Sequence, residues 1–184
     1  QKAAFYKGMK PQYSLANAKQ LHGKELSYNN IQDGNAAIEI LKEFEGQHAA
    51  VGLKHMNPCG IGLGNSIDEA WDKCFEADPV SIFGGIVAFN DEVNETTAEK
   101  LSKIFLEIII APSFSQDALD ILTKKKNIRL MTLDVTQSVN NTFKYTNVND
   151  GLLVQEMDTK QINKEDLRCV TNRKPTDEEM DQLL

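Results

Sequence analysis

An α/β fold, with a mixed sheet and helices on its faces, is what this 184-residue sequence predicts, on three observations. Short, largely apolar runs, at Ala49 to Leu53, Ile86 to Phe89, Ile108 to Ala111 and Ile128 to Leu133, have the length of buried strands. Between them stand segments with helix-capping residues and helical apolar spacing. A hydrophobic content of 41% with 26% charged residues is enough for one substantial core, so a globular domain is expected.

Taken in order, Ala3 to Tyr6 and Lys19 to His22 read as short extended pieces around a polar, proline-containing turn. Tyr28 to Asp33 then leads into a helix with Ala37, Leu41 and Phe44 at i, i+4 and i+7, and Gly46 stands in the C-cap role. Asn30 and Asp33 suit the capping of its start. Ser66 and Glu69 form a capping box that opens a helix through Ala70, Trp71, Cys74 and Phe75. Asp78 to Gly85 ends in a double glycine before the strand at Ile86, which leaves open a close approach to a ligand or a bulge at the sheet edge. Thr96 and Glu99 cap a helix expected to run to about Phe105, and the strand to Ala111 carries Glu107 at its start and Pro112 at its end. A further helix, opened by Ser113 or Ser115 and closed by Lys124, Lys125 and Lys126, precedes the strand at Ile128.

The pattern changes after Asp134. Residues 1–134 read as a first α/β lobe, and 135–184 as a hairpin with an Asp150-Gly151 turn followed by a polar connector. Thr176 and Glu179 form a last capping box, with an apolar face begun at Met180 and cut short at Leu184. With no methionine at position 1 as well, a piece of a longer protein is expected.

The stretch from Val51 to Gly64 concentrates the chemistry. A strand ends in Lys54-His55, and Gly60, Gly62 and Gly64 follow at every second position, which predicts an active-site loop whose backbone N–H groups approach an anion. With the capped helix that follows, the unit resembles a nucleotide phosphate site, although its spacing matches neither the Walker lysine motif nor the dinucleotide fingerprint. The local pattern leaves a plainer reading open, with Lys54 a solvated strand end and His55 a packing residue.

Composition excludes some classes. A formal net charge of -7 repels a phosphate backbone, so nucleic acid is not expected as a partner, whereas a small phosphorylated ligand can still be held locally. No apolar run is long enough to span a bilayer, and three cysteines without framework spacing point to a reduced, cytoplasmic chain. The Asn-x-Thr triplets at Asn94 and Asn140 carry no weight without an export signal. Pro58-Cys59 has part of a zinc-deaminase signature, but Gly62 stands where the second cysteine is needed and the His-x-Glu is missing, so no catalytic metal is expected. Cys59 beside His55 as a nucleophile lacks an orienting group that the sequence can assign.

Four segments together carry a resemblance: Leu21-His22-Gly23-Lys24-Glu25-Leu26-Ser27-Tyr28-Asn29-Asn30, Lys54-His55-Met56-Asn57-Pro58-Cys59-Gly60, Asp78-Pro79-Val80-Ser81-Ile82-Phe83-Gly84-Gly85 and Glu107-Ile108-Ile109-Ile110-Ala111-Pro112. In this order they resemble the transformylase half of the AICAR transformylase/IMP cyclohydrolase family of purine biosynthesis. The resemblance implies a cytidine-deaminase-like lobe and formyl transfer from 10-formyltetrahydrofolate, as co-substrate, to the 5-amino group of AICAR. It implies His55 as general base, Lys54 as electrostatic stabiliser, Phe83 and Gly84 on the AICAR side with the Gly84 backbone near the phosphate, Asn30 at the rim of the pocket, and Glu107, where the family often has aspartate, against the substrate, its plainer reading being a strand-entry charge. It further implies a homodimer, a cyclohydrolase domain and AICAR-holding residues upstream, and a second lobe downstream that supplies most folate contacts. The isolated chain is then expected to be inactive. The alternative is a nucleotide-binding or oligomerising module without turnover.

Overall fold

The computed structural model describes residues 2–7, 14–134, 143–160 and 162–183. It divides into two units, Gln1–Val139 and Asn140–Leu184. Asn140, of the second Asn-x-Thr triplet, lies outside the described residues.

In the first unit the strands are β1 (Lys19–His22), β2 (His48–Lys54), β3 (Asn57–Gly64), β4 (Ile86–Phe89), β5 (Ile108–Ala111) and β6 (Arg129–Thr132). Helices α1 (Tyr28–Leu41), α2 (Ile67–Ala77), α3 (Glu95–Ser102) and α4 (Gln116–Leu122) connect them. The sheet is mixed, in the order β1-β6-β5-β4-β2-β3. Strands β4, β5 and β6 run parallel, and β1, β2 and β3 each pair antiparallel with their neighbours. The mixed α/β architecture expected from the sequence is the one observed.

Alternating side chains put half of each central strand on either face. Val87, Phe89, Ile109, Ala111 and Leu130 pack with Trp71, Cys74, Leu101 and Leu122, on the side of α2, α3 and α4. Ile86, Ala88, Ile108, Ile110 and Met131 pack with Ala37, Ile38 and Leu41 of α1. All four residues of β4 and all four of β5 are buried, which is why those strands read as unbroken apolar runs.

Several local expectations change. Asn94 is the N-cap of α3, its side chain accepting from the Thr97 N–H at 2.9 Å, so the helix starts before Thr96 and ends at Ser102 rather than Phe105. Ser115, not Ser113, caps α4. In α2, Ser66 accepts from the Glu69 N–H, while the Glu69 carboxylate reaches back to the Asn65 N–H at 2.9 Å.

The larger correction concerns the glycines after His55. Residues 57–64 form a strand, paired with β2, instead of an anion-binding loop. Gly60, Gly62 and Gly64 lie under α2: a Cβ at Gly60 would stand 2.0 Å from the Cys74 carbonyl oxygen, one at Gly62 2.0 Å from that of Ala70, and one at Gly64 2.7 Å from the Ala70 nitrogen. Only hydrogen side chains allow the helix backbone to lie so near the strand. Their period of two is the period of one strand face.

The second unit has the expected hairpin, β7 (Phe143–Val148) with β8 (Gly151–Glu156), and α5 (Asp177–Gln182). Its two-residue turn is Asn149-Asp150, with Asp150 at φ 57° and Gly151 already paired with Val148, so the turn is one residue earlier than an Asp-Gly turn. Thr176 and Glu179 close the predicted capping box of α5.

Candidate active site

Lys54, His55, Phe83, Gly84 and Glu107 stand at one end of the first unit's sheet, where β1 and β2 end and β3, β4, β5 and β6 begin, and Asn30 lies in the first turn of α1. Lys54 is the last residue of β2 and pairs with Asn57, the first of β3. The two residues between them, His55 and Met56, both have left-handed backbones, with φ 53° and 60°. Two positive φ angles define a tight hairpin turn whose twist suits the flanking strands. Such turns favour Asn and Gly, and each longer L-residue in that region costs about 1–2 kcal/mol.

Side chains hold both polar atoms of the peptide between His55 and Met56. The Met56 N–H donates to Asp33 Oδ1 at 2.9 Å, and Asn57 Nδ2 donates to the His55 carbonyl at 2.8 Å. Asp33 therefore does not cap α1; Ser27 does, with Asn30 Oδ1 accepting from the Ser27 N–H at 3.1 Å in a reciprocal box. The capping reading of Asn30 thus holds, and the residue is nearly buried at 9% exposure. The His55 side chain is exposed and has no hydrogen-bond partner among the described residues.

Lys54 Nζ donates to the Phe83 carbonyl at 2.9 Å, tying the hairpin to the bend before β4. In that bend Gly84 has φ 73° and donates its N–H to the Phe105 carbonyl at 2.8 Å. A Cβ there would meet the Phe105 ring at 3.6 Å and Lys54 Nζ at 4.0 Å. Phe83 and Phe105 are tilted rings 5.5 Å apart, both substantially exposed. The bend itself is held by Asp78, whose carboxylate accepts from the Val80 and Ser81 N–H groups and lies below the usual aspartate range because of the bonds from Ser81.

Glu107 is committed to a partner. Arg129 Nη1 meets its carboxylate at 2.6 Å, and Arg129 Nε donates to the Glu25 carbonyl at 3.0 Å. The Arg129 side chain is only 10% exposed against 37% for that of Glu107. Arg129, Phe105 and Asp33 were not among the residues singled out from the sequence as site candidates. Parallel pairing of β5 with β6 sets Ile108 opposite Arg129, but that register becomes visible only once the strand neighbours are known.

Burial favours the protonated thiol at both cysteines near the hairpin. Cys59 packs against the α2 side of the core and burial pushes its thiol up, while Cys74 is pushed up to about 12 by burial and donates to the Gly60 carbonyl. Among the described residues no three His, Cys, Asp or Glu side chains gather as metal ligands would. A cavity of about 250 Å³ lies beside Phe105, lined also by Lys103, Lys125 and Lys126. Lys125 Nζ donates there to the Ile104 carbonyl at 2.6 Å, and its pKa is lowered by burial. A larger concavity of about 810 Å³ belongs to the second unit, among Leu167, Cys169, Arg173 and Met180, and contains none of the expected site residues.

Comparison with known proteins gives this end of the sheet its context. The model of the AICARFT/IMPCHase bienzyme family matches residues 1–184. A bifunctional purine biosynthesis protein PurH from Lysinibacillus sphaericus (strain C3-41) is 62% identical over 184 residues, all of this chain and 36% of that protein. The PurH of Bacillus subtilis (strain 168) is 54% identical over the same length, again covering 36% of the relative. The chain therefore spans about a third of the length of these curated relatives. A solved putative formate dehydrogenase accessory protein from Desulfotalea psychrophila aligns with 47% of this chain and 44% of its own at 12% identity and a TM-score of 0.41, too low to carry an argument. With its whole length matched by the family model, and at this level of identity, the chain belongs to the AICARFT/IMPCHase bienzyme family.

Proposed function

We propose that the chain is a segment of a bifunctional purine-biosynthesis enzyme and carries the general base and the cationic stabiliser of AICAR formyl transfer. The observation that supports this most is the Lys54-His55 pair, standing on a braced left-handed turn beside the Gly84 bend. The amine of AICAR is conjugated with its imidazole carboxamide and is a weak nucleophile. Attack on the formyl carbon of 10-formyltetrahydrofolate requires removal of an amine proton and stabilisation of the oxyanion that forms. His55, unpartnered among the described residues and exposed, takes the proton. Lys54 presents three N–H donors, of which the Phe83 carbonyl occupies one, so the ammonium can receive the oxyanion. Collapse of the adduct breaks the bond from the formyl carbon to the folate nitrogen, which takes the proton held by His55 and departs as tetrahydrofolate, leaving the formyl group on AICAR.

In this reading Asn30, Phe83, Gly84 and Glu107 contact AICAR, with Arg129 fixing the Glu107 carboxylate. Acyl transfer by a base and a cation needs no metal, and turnover is expected to survive chelation. The first unit is read as a cytidine-deaminase-like lobe, and the enzyme as a cytoplasmic homodimer. No described helix is long and apolar enough to cross a membrane. The alternative, a nucleotide-binding or oligomerising module without turnover, is separated from this reading by the formyl-transfer assay.

The test is His55→Ala in the intact parent enzyme. General-base removal is expected to lower kcat by about 10² to 10⁴ with the fold retained by circular dichroism. Wild-type kinetics would overturn the assignment. The isolated 184-residue chain, assayed alongside, is expected to fold without transferring formyl groups.

A further inference from the structure

The turn that carries His55 poses a physical question. A flip of the peptide between His55 and Met56, together with a change of the His55 φ, would take the turn to the ordinary type I form with both residues at negative φ and release their steric strain; a flip alone would leave His55 in a first turn position that demands glycine. The flip would also rotate the His55 carbonyl and the Met56 N–H to opposite sides. Those two atoms are the ones held, by Asn57 Nδ2 at 2.8 Å and by Asp33 Oδ1 at 2.9 Å. Asn57 belongs to the hairpin and moves with it. Asp33 is the external anchor, for it projects from the second turn of α1, a helix fixed to the sheet by buried Ala37, Ile38 and Leu41. Next to it, Gly34 lets the helix lie close, since a Cβ there would meet Leu15 at 3.2 Å and Ile110 at 3.4 Å.

We propose that Asp33 is a positioning residue of this site: by accepting from the Met56 N–H it selects the left-handed form of the turn and so sets where the His55 imidazole stands. The proposal rests on the formyl-transfer reading for its effect on turnover, but not for its effect on the turn. Asp33 touches no reacting atom in this scheme. Its carboxylate acts as an acceptor rather than as a charge, because its partner is a neutral backbone amide.

Two variants separate these roles. Asp33→Ala removes the acceptor from a half-exposed position in a helix that accepts alanine well, and Asp33→Asn keeps an acceptor oxygen while removing the charge. In the intact parent, Asp33→Ala is expected to lower kcat by about 10- to 100-fold with KM for AICAR changed by less than about twofold, as misplacement of a catalytic group does. Asp33→Asn is expected to recover most of the loss. In the 184-residue chain, the Met56 amide is expected to exchange with solvent faster in Asp33→Ala and at the wild-type rate in Asp33→Asn, read by NMR. Met56→Gly removes the left-handed penalty, so Asp33→Ala is expected to cost less turnover in that background than alone. An unchanged Met56 exchange rate, or wild-type kcat in Asp33→Ala beside an inactive His55→Ala, would overturn the proposal. An active His55→Ala would instead bring down the catalytic reading, and the catalytic role of Asp33 with it, whatever the Met56 amide does.

Discussion

At the residue scale, the site depends on backbone conformations that ordinary side chains avoid. His55 and Met56 are left-handed without being glycine, and Gly84 has a φ of 73° beside Lys54. Strained residues of this kind persist when their surroundings hold them, and here Asp33, Asn57 and the Phe105 carbonyl do so. Gly84→Ala is expected to destabilise the chain by about 1–2 kcal/mol through the left-handed penalty, measured as a shift of the urea midpoint. Lys54→Met tests the other half of the pair. In the intact parent it is expected to reduce kcat by about 10²-fold, the size of effect seen when an oxyanion donor is lost, and an unchanged kcat would remove that role. The Lys54-His55 adjacency was legible in the sequence because a strand ending in two cationic or titratable groups is chemically conspicuous. Asp33 and Arg129 were not, since one is read as a cap and the other as part of a strand until the partners across the fold are known.

At the element scale, α2 and β3 make a close backbone approach near the site. Gly62→Ala is expected to cost about 1–3 kcal/mol by overpacking, because the new methyl would face the Ala70 carbonyl across 2.0 Å. Denaturation by urea measures this, and an unchanged midpoint would mean that α2 yields freely. The start of α2 responds to acid. Glu69 is held at about 2, well below its ordinary 4.5, chiefly by the bond from Lys73, with the Asn65 N–H adding to it. A folded pKa below the unfolded one gives stabilisation that is complete above about pH 4.5 and lost as pH falls toward about 2. Replacing Glu69 by Gln is expected to flatten the stability profile across that interval, as followed by circular dichroism. Strand and helix alternation was legible in the apolar runs and caps. The function of the glycine repeat was not, because a period of two fits equally a loop that meets an anion and a strand face that meets a helix.

At the scale of the whole molecule, the two units differ in how much they bury. The first has apolar layers on both faces of its sheet, with β4 and β5 fully covered. In the second, every residue of β7 and β8 is exposed, Tyr145 at 63% and Leu153 at 59%. An isolated two-stranded hairpin is marginally stable in water. Amides of β4 and β5 are therefore expected to resist hydrogen exchange, and those of β7 and β8 to exchange early. Comparable protection in both would contradict the assignment of stability to the first unit. The change of pattern after Asp134 was visible in the sequence, whereas the extent of apolar exposure in the hairpin was not, because a run such as Leu152-Leu153-Val154 looks the same whether or not a second layer covers it.

The glycines beneath α2 have a consequence for mutational surveys. If every position of this segment were replaced in turn and growth without purines were the selection, Gly60, Gly62 and Gly64 are expected to be depleted much as Lys54 and His55 are. A tolerance map would then draw the whole hairpin as one catalytic motif. Soluble protein recovered per cell would separate its parts: glycine variants are expected to disappear because little folded product accumulates, while His55 variants, on the proposed role of that residue, are expected to accumulate normally without turnover.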